Sequence, residues 1–557
     1  MKKLIALGLI LSLCLVAFGG CREVYTAPGD DIKVISEADA IDEMNALLKN
    51  VKVTSVDAPI DISYDDVSPQ DALADIDTFP LTVKGNGQID IEIAADTEMS
   101  SEAPDDWMVV LANKFNKEKH TYNGKTVSIS VRQITGGETV TYMRAGKYRP
   151  DLYVPSHAAW GKMLDASGIQ TITLCDRLLG NTAGILMSDK VYPGFIEKYG
   201  EVTIKNVVEA TLAGDLNFAY TNPYSSSTGL NMLTMILKAF DPQNPLSQTA
   251  ADKLNAYQRT SPPTAHTTAV MKNKAAKGII DTMVMEEQAY VLTPSLSSYK
   301  YFPQGIRHDH PVFTFEYVSQ EKREAAQLFI DYCLTDKAQK LGYEKGFNRH
   351  EDYQGEEPGL DGNGYLEAQR LWKENKTGGR PVIALFVADV SDSMRGTPLK
   401  SLKSALLSAS PYIGDDNYVG LISYSKDVMI NLPIDQFGEM QRAKFSGAVK
   451  NLSTYGRTAT YDAVLEGAKL LLEKQEEIPE ARAIMILLTD GAQNEGVSYD
   501  RIAKIVKAFG IPVYTIAYNM NTPEDLKELA DLNEADAANA SSDDIVNKLR
   551  DLFNSEL

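Results

Sequence analysis

"LFVADVSDSMRG", residues 385–396, decides the reading of the C-terminal half of this chain. An apolar run ends in a carboxylate, Asp389, and hydroxyls follow at alternate positions, Ser391 and Ser393. A continuous apolar run with polar ends is the pattern of a strand covered on both faces. Similar runs follow in "NYVGLISYS", "ARAIMILLTDG" and "IPVYTIAYN", separated by amphipathic stretches such as "LKSLKSALLSAS" and "YDAVLEGAKLLLEKQ". This alternation predicts an α/β domain with a doubly wound, largely parallel sheet. Ligands of such sheets bind beyond the carboxyl ends of the strands. Asp389 and Asp490 each stand at such an end, and Thr458 lies in the turn "TYGRTATYDA" that leads into a helix. Asp389, Ser391, Ser393, Thr458 and Asp490 offer only oxygen, which suits Mg2+, Mn2+ or Ca2+ and poorly suits zinc or copper. Two carboxylates balance a divalent ion, and neutral hydroxyls leave it electrophilic toward a partner's carboxylate.

This arrangement resembles the von Willebrand factor A domain, a Rossmann-like fold, and its metal-ion-dependent adhesion site (MIDAS). The resemblance covers residues 380–557. It implies Asp389, Ser391 and Ser393 as the Asp-x-Ser-x-Ser element, with Thr458 and Asp490 as the separate threonine and aspartate. It also implies a protein partner whose acidic group completes the metal. Two positions depart from the family pattern: Asp392 and Arg457 stand where glycines are common. Asp tolerates unusual backbone angles, and Arg457 is expected in a surface ion pair.

The chain has 557 residues, too many for one core. It is 44% hydrophobic and 24% charged, an ordinary globular composition. The formal charge of −21 argues against a nucleic-acid partner, because phosphate is repelled. Lys2 and Lys3 precede an apolar run, Leu4 to Phe18, and then Gly19, Gly20 and Cys21. That is the layout of a signal peptide, residues 1–20, and the run is too short for a confident membrane span. "FGGC" resembles a bacterial lipobox, which implies a lipidated Cys21 and a lipoprotein held at the extracytoplasmic face of the cell membrane. Several acyl chains give a stable anchor. Of the remaining cysteines, Cys175 and Cys333 are read as a disulfide or as buried free thiols.

Residues 21–86 are acidic and weakly periodic and are expected to form a tether, with one short helix at "EADAIDEMNALLKN". From 87 to 350, strands such as "IDIEIAAD", "TVSISVRQI", "DLYVPS" and "LNFAYTNP" alternate with amphipathic helices, so a second α/β domain of two lobes is expected. Residues 351–379, glycine-rich and charged around one short helical piece, read as a linker.

Within the first domain, "TNPYSSSTGL" ends a strand and opens a helix with Ser225, Ser226 and Ser227. Hydroxyls there cap N–H groups, and the same end of a helix can hold a polar ligand. Ser100 and Ser101 repeat the arrangement, and Ser156 closes another strand. These segments, with "MVMEEQAYVL" and "FIDYCLTDKAQKLGYEKGF", resemble the extracellular solute-binding proteins of bacterial ABC transporters, nearest to the oxyanion-binding sub-type. The resemblance implies a periplasmic-binding-protein-like domain that clamps a small molecule or peptide between lobes. Ser100, Ser101, Ser156, Asn222, Ser225, Ser226 and Ser227 are its candidate ligand residues. Asp96, Glu98, Glu102, Glu286 and Glu287 oppose an oxyanion and favour a cationic or zwitterionic ligand.

No phosphate loop, HExxH, CxxC or GxSxG motif occurs, and no nucleophile is paired with a base, so no catalytic set is visible. His308 and His310 are read as part of a solvated loop. The expected function is membrane-anchored extracytoplasmic binding and adhesion through a divalent cation. The alternatives are a metal-dependent hydrolase using the Asp389 cluster and a solute-delivery component of an ABC transporter.

Overall fold

The computed structural model describes residues 32, 35–61, 73–260, 262, 264–265, 271–272, 274–275, 280–518, 521–533, 535, 537–541 and 544–557. Cys21 and the apolar leader lie outside the described residues.

The first lobe forms around the strand Ile89–Ala95, which alternates at its start and is fully buried at its carboxyl end. It pairs in parallel with Lys125–Gln133 and Leu152–Val154. Leu81–Val83, Val312–Phe315 and Thr171–Cys175 complete the sheet. The second lobe carries the sheet order Thr264–Ala265, Phe218–Thr221, Thr282–Glu286, Asn181–Ser188, Tyr299–His308. The chain passes between lobes from Thr171–Cys175 to Asn181–Ser188 and returns from Tyr299–His308 to Val312–Phe315. Short paired crossings of this kind serve as hinges between lobes. Cys175 and Cys333 are free thiols, the first half-buried and the second buried.

The C-terminal domain is built on Val382–Asp389, buried at every residue. Tyr418–Tyr424 and Arg482–Thr489 flank it in parallel, followed outward by Val513–Tyr518 and Ala537–Ala540. Val428–Gln436 runs antiparallel to Tyr418–Tyr424. Phe386, Leu402, Phe445 and Phe553 fill one face of the sheet, and Leu385, Val464, Met485 and Ile505 the other. Each such side chain contributes about 1.5–3 kcal/mol on burial. Both faces being covered accounts for the unbroken apolar runs in the sequence.

Two expected boundaries are corrected. Residues 21–86 are not a tether throughout. Glu37–Leu48 is a helix capped by Ser36, whose hydroxyl accepts the Asp39 N–H. It buries Ala40, Met44 and Leu47 against helices Thr460–Glu477 and Tyr499–Phe509. Val53–Ser55 then extends the C-terminal sheet, pairing in parallel with Val428–Ile430. Farther on, Leu73, Ile76 and Phe79 join the core of the first lobe. The helix itself was expected; its docking was not, because the acidic residues fill the solvent face and hide an opposite face that is apolar at i, i+4 and i+7. Residues 351–379 are likewise not a plain linker. Gly362–Asn375 is a helix whose Tyr365 packs into the first lobe and whose Ala368 and Trp372 pack into the second.

Candidate functional site

Backbone hydrogen bonds stitch three loops together at the carboxyl ends of the C-terminal strands. Val390 N–H donates to Tyr424 O (2.8 Å), Tyr455 N–H to Val390 O (2.8 Å), and Asp392 N–H to Gly456 O (3.0 Å). This brings the five expected oxygen donors together. Ser393 Oγ donates to Asp490 Oδ1 at 2.7 Å and lies 3.0 Å from Ser391 Oγ. Gly491 places Thr458 beside them: a Cβ on that glycine would stand 3.7 Å from Ser393 Oγ and 4.0 Å from Thr458 Oγ1. Asp389 accepts from Ser391 N–H at Oδ1 (2.8 Å) and from Thr489 Oγ1 at Oδ2 (2.7 Å). Asp389, Ser391 and Thr458 are buried, Asp490 is half-buried and Ser393 is exposed, so the cluster opens to solvent on one side.

Burial pushes the Asp389 and Asp490 carboxyls above their ordinary range, against the hydrogen bonds from Ser391 and Ser393. Charge concentrated at a partly desolvated carboxylate pair is what a divalent cation relieves. Two carboxylates and three hydroxyls fit a hard cation that keeps some of its water. Among the described residues no cluster of three or more His, Cys, Asp or Glu is arranged to hold a metal. Asp392 opens a 3-10 turn and has no positive φ, so glycine is not required there. Arg457 is exposed, 4.0 Å from Glu495, as the expected surface pair. Thr489, which orients Asp389, was not picked out from the sequence, although it directly precedes Asp490.

A second site lies between the lobes of the first domain, a cleft of about 490 Å3. Of the expected ligand residues, Ser101, Ser156, Ser225, Ser226 and Ser227 line it. Ser100 and Asn222 do not. Ser100 Oγ is buried and donates to Ala95 O and Asp96 O, while Asn222 Oδ1 accepts Tyr224 N–H in a turn. The lobes touch here: Trp160 Nε1 donates to Ser227 Oγ at 2.8 Å, and a Cβ on Gly137 would stand 1.9 Å from Tyr224 O. Asp96, Glu98, Asp106 and Glu286 face the cleft, with Lys272 as the cation among the described residues of its lining. Glu102 is exposed and not in the lining, and Glu287 instead binds Thr182 and His350.

His308 and His310 are not in a solvated loop. Both are fully buried. His310 Nδ1 contacts Leu179 O at 2.7 Å, and Nε2 contacts Glu98 Oε1 at 2.9 Å. Ser156 Oγ lies 2.6 Å from Glu98 Oε1 and 2.8 Å from Asp96 Oδ2, so imidazole, carboxylate, hydroxyl and carboxyl form one chain along the cleft floor. Burial opposes ionisation of Glu98, but His310 outweighs it and holds Glu98 down at about 2. Burial and the Glu98 charge push Asp96 up to about 8. Because the carboxylate stands between hydroxyl and imidazole, His310 is not placed to take a proton from Ser156. Among the described residues no helix is long and apolar enough to cross a membrane.

Comparison with known proteins agrees with this division. A family model of the von Willebrand factor type A domain matches residues 385–555, and one of the bacterial extracellular solute-binding protein matches 97–348. Inter-alpha-trypsin inhibitor heavy chain H3 of Bos taurus is 33% identical over 157 residues, 26% of this chain and 17% of that protein. Heavy chain H1 of Homo sapiens is 28% identical over 165 residues, 28% of this chain and 18% of that protein. The chain thus spans under a fifth of the length of these relatives. Iron-bound HitA from Pseudomonas aeruginosa is 12% identical at a TM-score of 0.37, over 52% of this chain and 99% of that one. A von Willebrand factor type A structure from Catenulispora acidiphila is 18% identical at 0.29, over 31% and 42%. The chain therefore joins a bacterial extracellular solute-binding domain, over residues 97–348, to a von Willebrand factor type A domain, over residues 385–555.

Proposed function

We propose that this is a two-site binding protein of the extracytoplasmic membrane face, anchored through a lipidated Cys21. One site binds a protein partner through a divalent cation, Mg2+ or Mn2+, held by Asp389, Ser391, Ser393, Thr458 and Asp490. The other clamps a small polar solute between lobes. The observation that carries the reading is the meeting of those five oxygen donors from three loops at one solvent-facing edge of the sheet. The cation offers an electrophilic coordination position for a partner's carboxylate, while the half-buried Asp490 and exposed Ser393 leave room for approach.

The cleft's acidic lining supports a solute that carries positive charge. Glu98 stays ionised, Asp106 and Glu286 face the same space, and Asp96, largely protonated at neutral pH, can donate to a ligand oxygen. A zwitterion with an amino group toward these residues and an anionic group toward Lys272 fits the set better than an oxyanion does.

Titration calorimetry of the full chain with Mn2+ tests the first site. The expected result is one cation per chain, lost in Asp490→Asn; no heat with the wild-type chain overturns it. Thermal shift against amino acids, diamines, sulfate and molybdate tests the second. Stabilisation by the oxyanions alone overturns the assignment of solute class. Mass spectrometry of the membrane-extracted protein tests the anchor, with acylated Cys21 expected and a free N-terminal residue 21 against it.

A further inference from the structure

Asp96 follows the strand Ile89–Ala95 and caps the turn after it, its Oδ1 accepting Thr97 N–H at 3.0 Å. Capping needs no more than that one oxygen. The other oxygen is engaged elsewhere. Oδ2 accepts Gly136 N–H and Ser156 N–H, each at 3.3 Å, and lies 2.8 Å from Ser156 Oγ and 3.3 Å from Ser227 Oγ. Two backbone N–H groups and two hydroxyls, from three separate segments, thus converge on a single atom.

These groups come from both lobes. Gly136 and Ser156 belong to the first, whereas Ser227 opens the helix Ser227–Phe240 of the second. Trp160 Nε1 donates to Ser227 Oγ at 2.8 Å, which leaves the Ser227 proton for Asp96. A Cβ on Gly136 would stand 2.8 Å from Trp160 Nε1 and 3.2 Å from Asp96 Oδ2, so a bare backbone is what lets this N–H approach. Gly136 also begins a helix, whose first N–H groups have no partner within it. Fixed N–H and O–H donors around one point are a means of holding an anion's oxygen. Here the oxygen is the protein's own. Asp96 is 5% exposed and lines the cleft, so the space its carboxyl fills is continuous with the solute site. The neighbouring Glu98 is matched by His310 at 2.9 Å.

We propose that Asp96 determines the class of solute, its carboxyl occupying from within the chain the place that an oxyanion would take between the lobes. It thereby excludes oxyanions from the cleft and ties Ser227 of the second lobe to the first independently of any solute. This rests on the cleft being a solute site, and not on the charge of the solute.

Asp96→Gly in the full chain tests this, because glycine is tolerated at a capping position and acetate returns the side chain that was removed. Calorimetric titration with acetate and with sulfate, at constant ionic strength, is expected to show saturable binding of either anion at least tenfold tighter than by the parent chain. Asp96→Ser, which keeps a capping hydroxyl, is expected to show the same gain. Adding Ser227→Ala should weaken the gained binding at least tenfold. Asp96→Asn keeps the shape of the occupant without its charge and is expected to bind neither anion. The proposal is overturned if the parent binds as tightly as Asp96→Gly, or if the glycine and serine variants both keep the parent's circular dichroism and bind neither anion. It is also overturned if Asp96→Asn gains the same affinity, since charge and not occupancy would then be the barrier, or if the gain survives Ser227→Ala intact. Diamine binding by the parent chain, measured alongside, tests the cationic solute class by itself, so a failure there is told apart from a failure here.

Discussion

Arg550 Nη2 stands 2.7 Å from Glu138 Oε2, and the two side chains are 3% and 8% exposed. One belongs to the last helix of the chain, Ile545–Glu556, and the other to Gly136–Arg144, whose N-cap Thr135 lines the solute cleft. Asn547 extends the contact to Tyr142 (3.3 Å) and Thr78 (2.9 Å). The two domains are thus joined through a buried ion pair and its neighbours.

Removing one partner of a buried pair leaves the other charge uncompensated. Arg550→Met is expected to destabilise the chain by about 3–5 kcal/mol in chemical denaturation. Burial already pushes Glu138 up to about 7 even against Arg550, so the abandoned carboxyl takes up a proton. The double variant Arg550→Met, Glu138→Leu is expected to recover most of the loss. A double variant as unstable as the single one contradicts this account.

The contribution of Asp96 to the stability of the solute-binding domain is expected to fall as pH rises from about 4 to about 8. Asp96 is protonated in the folded state across that interval and ionised in the unfolded chain, so the folded state binds the extra proton. The slope attributable to one group is at most about 1.4 kcal/mol per pH unit. Asp96→Asn removes it, so the stability of that variant relative to the parent should climb between pH 5 and pH 8. Parallel curves for the two proteins would show that Asp96 titrates normally.

Thr489→Val deletes the hydroxyl that holds Asp389 Oδ2 and leaves the direct donors in place. Groups that orient a ligand typically contribute 10–100-fold in metal affinity. Mn2+ binding should weaken by about that factor, with a stability change of about 1 kcal/mol. Unchanged affinity would mean that Asp389 needs no such support.

Gly447 lies in the helix Glu439–Asn451, where alanine ordinarily stabilises by about 1 kcal/mol. Here a Cβ would stand 1.9 Å from Pro59 O. Gly447→Ala should therefore lower the melting temperature and open residues 50–61 to limited proteolysis. Protection equal to that of the parent chain sinks this prediction.

Much of the oxygen-donor cluster proposed to hold a cation was legible because its residues follow strand ends, where a change from apolar to oxygen-bearing residues is abrupt. Thr489 was not singled out because a threonine ending a β-strand is commonplace. In the first domain the serines were visible as a helix opening, but Ser100 and Asn222 satisfy the backbone rather than the cleft, a choice that spacing does not encode. His308 was misread because Pro303 and Gly305 break the strand pattern of Tyr299–His308 just before it. A short helical piece was read within 351–379, but the packing of Gly362–Asn375 on both lobes was hidden by Gly362 and Gly364 in its first turn and by its charged outer face. Asp106 and Lys272 carry no local signal, since only the closure of two lobes brings them to one space.

The strand Val53–Ser55 has a mechanical consequence. It is fastened to the C-terminal sheet by Val53–Val428 pairing, by the Lys52–Asp427 ion pair at 2.8 Å and by Asp61 against Lys450 and Ser446. Val53 pairs with Val428, Val428 with Tyr424 and Tyr424 with Asp389, so the N-terminal end of this strap shares the sheet edge of Asp389, and a pull between the two runs across the strands and peels the strap from its end.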